Sequence, residues 1–134
     1  MNQLDISTRD NKERFLPGET LEGKASWQFD RDVDWLEIRL VWFTQGKGDT
    51  DISVEEITRV ERPGPQDSKS FRFILPAAPY SFSGKLISLI WAVELVADGA
   101  KEEARLEFSM APDGREIMLS STTNAQPQLG FPRP

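Results

Sequence analysis

From Thr20 to Phe29 the chain alternates: Leu21, Gly23, Ala25, Trp27 and Phe29 share one face of an extended segment, and Glu22, Lys24, Ser26 and Gln28 share the other. A period of two, with one apolar and one wet face, is what an antiparallel strand covering a core requires. The pattern recurs along most of the chain. Leu4 and Ile6 start a first strand. Trp35 to Gln45 sets Leu36, Ile38, Leu40 and Trp42 against Glu37 and Arg39, then turns apolar on both faces at Val41 and Phe43, which predicts a central strand. Ile52 to Glu61 alternates more weakly and slips at Glu55-Glu56, as a β-bulge makes a strand do, which predicts an edge. Ser70 to Leu75 turns Phe71, Phe73 and Leu75 inward. Leu86 to Val96, expected to be the longest strand, does the same with Leu89, Trp91, Val93 and Leu95, and Asp98-Gly99 is a hairpin signal before the returning strand of Ala104, Leu106, Phe108 and Met110. Nowhere does an i, i+3, i+4 apolar pattern last three helical turns.

Between these strands lie turns: Pro17-Gly18, the polar run from Gly46 to Asp51, Pro63-Gly64-Pro65 and a proline-punctuated loop from Pro76 to Ser83. About seven short strands at this spacing predict an all-β domain, an antiparallel two-sheet sandwich. That domain spans residues 1–111. After Ala111 the alternation fades, Ile117-Met118-Leu119 offers one more short strand, and 120–134 is polar and proline-rich, so 112–134 is expected to be a C-terminal extension, flexible or docked at the periphery.

A chain of 134 residues suits one domain, which buries roughly 65–70% of its extended-chain surface. The chain has no Cys and no His, so disulfides, thiolate chemistry, cysteine-ligated zinc and the commonest general base are all excluded. A net charge of -6 with scattered Lys and Arg disfavours nucleic acid and anionic membranes. No apolar run approaches the ~20 residues of a membrane span, and the first residues lack the basic start and apolar stretch of a signal peptide, so a cytoplasmic chain is expected.

Several segments, taken in order, carry a resemblance. Phe15-x-Pro17-Gly18-Glu19-x-Leu21-x-Gly23 is similar to the strand signature of arrestin-fold proteins. Trp35 to Phe43 looks like that family's central strand. Phe71-Arg72-Phe73-x-Leu75-Pro76, followed by Pro79 to Gly84 and by Ile87-Ser88-x-x-Trp91-x-Val93, resembles its later stretch. The likeness covers residues 4 to 110 and implies an immunoglobulin-like/arrestin-like sandwich. It also implies a non-enzymatic adaptor or regulator that binds proteins, since the family includes the arrestins, the arrestin-like subunit of retromer and bacterial sporulation-control proteins. In this setting Pro17, Gly18, Glu19, Gly23, Pro76, Gly84 and Trp91 are fold residues, with Gly23 expected to admit a bulky neighbour such as Trp91 or Phe73. The chain has length for one sandwich and no basic cluster like the arrestin phosphate sensors, so phosphopeptide recognition is not carried over.

Candidate chemistry is sparse. Asp30, Asp32 and Asp34 have the every-second spacing of a calcium loop, but Trp35 stands where an EF-hand needs Gly and Val41 where it needs Glu. If each strand crosses the sandwich once, the turns at 30–34, 63–68 and 98–101 meet at one end and bring Asp67 and Asp98 near those three. A calcium- or carbohydrate-binding sandwich using those loops is therefore the alternative reading, with Trp residues as the sugar platform if two were exposed. Trp27, Trp42 and Trp91 share the parity of core residues, and Trp35 is the least determined. Gly46-Lys47-Gly48 and Gly84-Lys85-Leu86 both fall short of a phosphate loop, and Ser81, Ser83 and Ser88 have no His to activate them. No enzyme, no catalytic residue and no cofactor is expected. The remaining binding surface is an edge: Ile52, Val54 and Ile57 mark the strand to which a partner's extended segment, or a second copy in a homodimer, would add.

Overall fold

The computed structural model describes residues 2–46, 48, 50–112 and, for the backbone alone, 117–118. It holds ten strands: β1 (Gln3–Thr8), β2 (Arg14–Phe15), β3 (Thr20–Gln28), β4 (Trp35–Gly46), β5 (Ile52–Glu61), β6 (Gln66–Ile74), β7 (Phe82–Ser83), β8 (Ile87–Ala97), β9 (Ala104–Met110) and β10 (Ile117–Met118). Seven are of ordinary length and three have two residues, so the expected seven are present with three short additions. The longest is β4, by one residue over β8. One sheet has the order β1-β3-β6. The other runs β10-β7-β8-β4-β5, with β9 taking over from β7 beside the C-terminal half of β8 and β2 adding to β9 in parallel. The expected C-terminal extension, 112–134, lies outside the described residues apart from Pro112 and the backbone of β10, which pairs in parallel with β7.

The two sheets face each other across one core, because the inward parity of each strand is apolar. Leu21, Ala25 and Trp27 of β3 and Phe71 and Phe73 of β6 meet Leu36, Ile38 and Leu40 of β4 and Leu89, Trp91, Val93 and Leu95 of β8. Trp91 is fully buried, donates its indole N–H to the Pro79 carbonyl at 2.8 Å and lies 6.1 Å from Phe108, ring centre to ring centre. Trp27 is buried as expected, while Trp42 is half-exposed at the rim. The strand β6 begins at Gln66, four residues before the alternation shows it, since Gln66–Lys69 pair with Gln28–Ala25 across the sheet.

The Pro-Gly-Glu segment has a plain mechanical role. Leu16-Pro17-Gly18-Glu19 is a type II turn, with Gly18 at φ +82° and Glu19 N–H donating to the Leu16 carbonyl at 3.1 Å. The Glu19 carboxylate accepts the Leu16 N–H at 2.8 Å and pairs with Lys12, tying the turn to the segment before it. Gly23 does admit a close neighbour, but the neighbours are the Ser7 carbonyl and the Phe71 ring, not Trp91 or Phe73: an added Cβ would lie 2.3 Å from Ser7 O and 2.5 Å from Phe71 Cζ. All three aromatics point inward, and the register Gly23↔Phe71 decides between them.

Candidate functional site

The edge strand β5 stands at the end of its sheet, and among the described residues it pairs with β4 alone. Its register with β4 shifts between Leu40↔Glu56 and Val41↔Val54, so Glu55 is an extra residue without a partner on β4. The doubled glutamate is thus a bulge, at the place the slip in alternation indicates.

Parity assigns the side chains of β5. Ile52, Val54 and Ile57 lie opposite Phe43, Val41 and Arg39, on the outer face of the sheet, and they are 57%, 45% and 48% exposed. Large aliphatic side chains so exposed on a strand with one free edge are a template for association. Glu56 and Thr58 lie opposite the core residues Leu40 and Ile38, so they face the flank between the sheets. A connection of four residues, 62–65, leads from β5 to β6, the end strand of the other sheet; the two free edges therefore border the same flank. At its upper corner the Glu55 carboxylate accepts the indole N–H of Trp42 at 2.9 Å and the Ser53 hydroxyl at 2.6 Å. Glu56 makes no ion pair among the described residues.

Beside this edge the outer face carries a cross-strand network that alternation alone does not reveal. Glu37 on β4 is nearly buried and receives Arg39 Nη2 at 2.6 Å and Arg59 Nη1, from β5, at 2.8 Å. Burial pushes its carboxyl up, but the hydrogen bonds from Arg39 and Arg59 outweigh this and hold it below the ordinary glutamate value. Arg59 also pairs with Glu61 and lies 4.6 Å over the Trp35 ring. On β8, the buried Glu94 is held by Arg105 of β9, whose Nε donates at 2.8 Å and whose guanidinium lies 4.7 Å over Phe43. Under these side chains Val41, Phe43 and Ala92 form a second small apolar cluster. The network pins β5, β4, β8 and β9 into a stiff sheet, which fixes the line of the free edge.

The other sequence candidates are placed differently. The turns at 30–34 and 98–101 share one end with the connection 62–65, which replaces the turn expected at 63–68 because β6 starts at Gln66: Arg62 N–H donates to the Asp34 carbonyl at 2.8 Å and Asp98 N–H to the Trp35 carbonyl at 2.9 Å. A cation links the turn at 30–34 to the turn at 98–101. Arg31 donates to the Asp98 carbonyl at 2.9 Å and to the Asp32 carbonyl at 3.1 Å, and Asp67 lies within β6, its carboxylate accepting the Ser68 N–H. Among the described residues no three acids gather so as to hold a metal ion. Trp35 stacks with Arg59 instead of lying beside a second exposed indole. A shallow hollow of about 710 Å³ on the outer face of the three-stranded sheet is lined mainly by amide and hydroxyl groups, Gln3, Ser26 and Gln28 among them, with one amine, Lys24, and two acids, Asp5 and Asp67. Among the described residues no helix is long and apolar enough to cross a membrane.

No protein-family model matches the sequence, and no curated protein matches it. Among solved structures the chain is similar to Spo0M, a sporulation control protein from Bacillus subtilis, with a TM-score of 0.58 and 18% identity over 81% of this chain and 49% of that one. A β-glucosidase from Listeria innocua overlaps at a TM-score of 0.47 and 12% identity, over 87% of this chain and 16% of that one, and bears on neither fold nor activity. The chain thus spans about half the length of Spo0M. Strand order, the Pro-Gly-Glu turn and this similarity agree: the protein has an arrestin-like β-sandwich fold.

Proposed function

We propose that this chain is a non-enzymatic protein-interaction module, an adaptor or regulatory domain that takes an extended segment of its partner along the free edge of β5. One observation carries the reading: an end strand of ten residues, containing neither Pro nor Lys, presents three exposed aliphatic side chains on one face. Strand addition supplies affinity through main-chain hydrogen bonds, and the alternate side chains supply selectivity. The similarity to a sporulation control protein supports a regulatory role, and the absence of Cys and His from the chain supports a binding role over thiolate or histidine chemistry.

The test is a comparison of captures from the native lysate, made with the wild-type chain and with a Val54→Lys/Ile57→Lys double variant. Both positions are exposed, so the variant keeps its fold, checked by circular dichroism. The expected result is one or more proteins retained by the wild type and lost by the variant. Equal retention by both chains, or turnover of a substrate by the wild type, overturns the proposal.

A further inference from the structure

The charge around β5 narrows the partner further, and this step rests on the edge reading above. We infer that the occupant of the edge is an extended segment with alternating chemistry: apolar side chains on the face it shares with Ile52, Val54 and Ile57, and Lys or Arg on the face turned to the flank. Strand pairing makes this a two-sided requirement, because cross-strand neighbours share a face and lie about 4.5–5.5 Å apart at Cβ.

On the outer side the edge is apolar and its one cation is already engaged. Arg59 is paired with Glu37 and Glu61 and stacked on Trp35, so it does not call for an acid from outside. On the flank side the situation is reversed. Glu55 is held by two neutral donors, the Trp42 indole and the Ser53 hydroxyl, and Glu56 faces the flank without an ion pair among the described residues. Lys69, which lies opposite the buried Ala25 on β6, makes no ion pair with either glutamate. Two adjacent, exposed and uncompensated carboxylates along a free strand edge attract cationic side chains and repel acidic ones, which gives selectivity more than raw affinity. The bulge places both on one side, because the extra residue at Glu55 restores the parity of Glu56 to the flank while Ile57 returns to the outer face. The aliphatic stripe and the acidic pair are thus on opposite sides of one edge.

Three labelled peptides of seven residues test this: one alternating valine with lysine, one alternating valine with glutamate, and one alternating serine with lysine. Fluorescence anisotropy reads binding, and Trp42 fluorescence, through its contact with Glu55, reports the site. The expected result is tighter binding of the valine-lysine peptide than of either other by tenfold or more, weakening as salt is raised. Charge reversal by Glu55→Lys/Glu56→Lys inverts the preference between the lysine and glutamate peptides. The control Asp5→Lys/Glu22→Lys, on the other sheet and with the same change in net charge, leaves the preference unchanged. Equal binding of the valine-lysine and valine-glutamate peptides, an equal effect in the control variant, or no binding of the valine-lysine peptide overturns the inference. The edge reading survives those results if lysate capture still depends on Val54 and Ile57. It fails with the inference if the peptide binds the Val54→Lys/Ile57→Lys variant as it binds the wild type.

Discussion

Replacing Gly23 by alanine adds one methyl group in the middle of β3, between β1 and β6. The position of that methyl is set by the backbone: 2.3 Å from the Ser7 carbonyl oxygen and 2.5 Å from Phe71 Cζ. Carbon–oxygen contacts of this kind settle at about 3.3–3.6 Å, so roughly 1 Å must be made up on the β1 side. The Phe71 ring can yield by turning; the Ser7 carbonyl belongs to a strand paired with β3 from Gln3 to Thr8 and can yield only if β1 moves. Overpacking of this sort costs about 1–3 kcal/mol, and a displaced β1, which also loosens the buried Ile6, puts the total near the upper end of that range. For a domain of this size that corresponds to a fall in Tm of roughly 10 °C. Gly18→Ala is the comparison, since Gly18 has open space around its Cβ position and only its φ of +82° to defend. The strain of a left-handed alanine costs about 1–2 kcal/mol. Urea and thermal unfolding, followed by Trp fluorescence, should rank Gly23→Ala as the more damaging. Adding Phe71→Leu to Gly23→Ala should recover only part of the loss, because the carbonyl clash remains. A Gly23→Ala protein within about 0.5 kcal/mol of the wild type, or full recovery by Phe71→Leu, refutes the steric account.

Two further outcomes follow from the outer-face network. The Glu37 carboxyl is held below its ordinary value in the folded state, so its contribution is present above pH 4.5 and lost as pH falls through the lower folded value. Urea midpoints measured from neutral pH down through that range should fall more steeply for the wild type than for Glu37→Gln, and parallel profiles exclude the assignment. Arg105→Ala leaves the Glu94 carboxylate buried without its partner and removes the cation from Phe43, a loss of about 2–3 kcal/mol once the partial exposure of Arg105 is allowed for. In a Glu94→Leu background the same change should cost far less; equal losses in urea unfolding would show that the pair is not the cause.

The long strands are legible in the sequence because each has one dry face: Leu36, Ile38 and Leu40, or Leu89, Trp91, Val93 and Leu95, announce themselves by period two wherever the other side is polar. The bulge is legible for the same reason, since an extra residue shows as a break in that period. The first half of β6 is not, because Gln66 to Ser70 alternates nothing and is extended only through its pairing with β3. β2, β7 and β10, of two residues each, are too short to show a period. The pairs of the outer face join residues 22 and 11 positions apart, Arg59 to Glu37 and Arg105 to Glu94, and depend on which strand lies beside which. The candidate edge was readable as a weakly alternating strand with Ile52, Val54 and Ile57 on it. That Glu55 and Glu56 share the opposite side is set by register alone. At the loop end the convergence of three turns was also readable, but not that Arg31, between Asp30 and Asp32, turns its guanidinium onto the carbonyls of Asp32 and Asp98.

The bulge at Glu55 also bears on self-association. Before it, Ile52 and Val54 face outward at even positions; after it, Ile57, Arg59 and Glu61 do so at odd ones. The straight strand β4 keeps its faces in step with both halves, Val41 opposite Val54 and Arg39 opposite Ile57, because Glu55 is left out of the pairing. A straight foreign segment on the free edge meets one such break in the main-chain ladder. A second copy arriving antiparallel brings a bulge of its own, so the ladder between two copies is broken at two places. A single extra residue thus favours a foreign segment over a copy on a strand that carries exposed aliphatic side chains, which works against the stacking of copy upon copy.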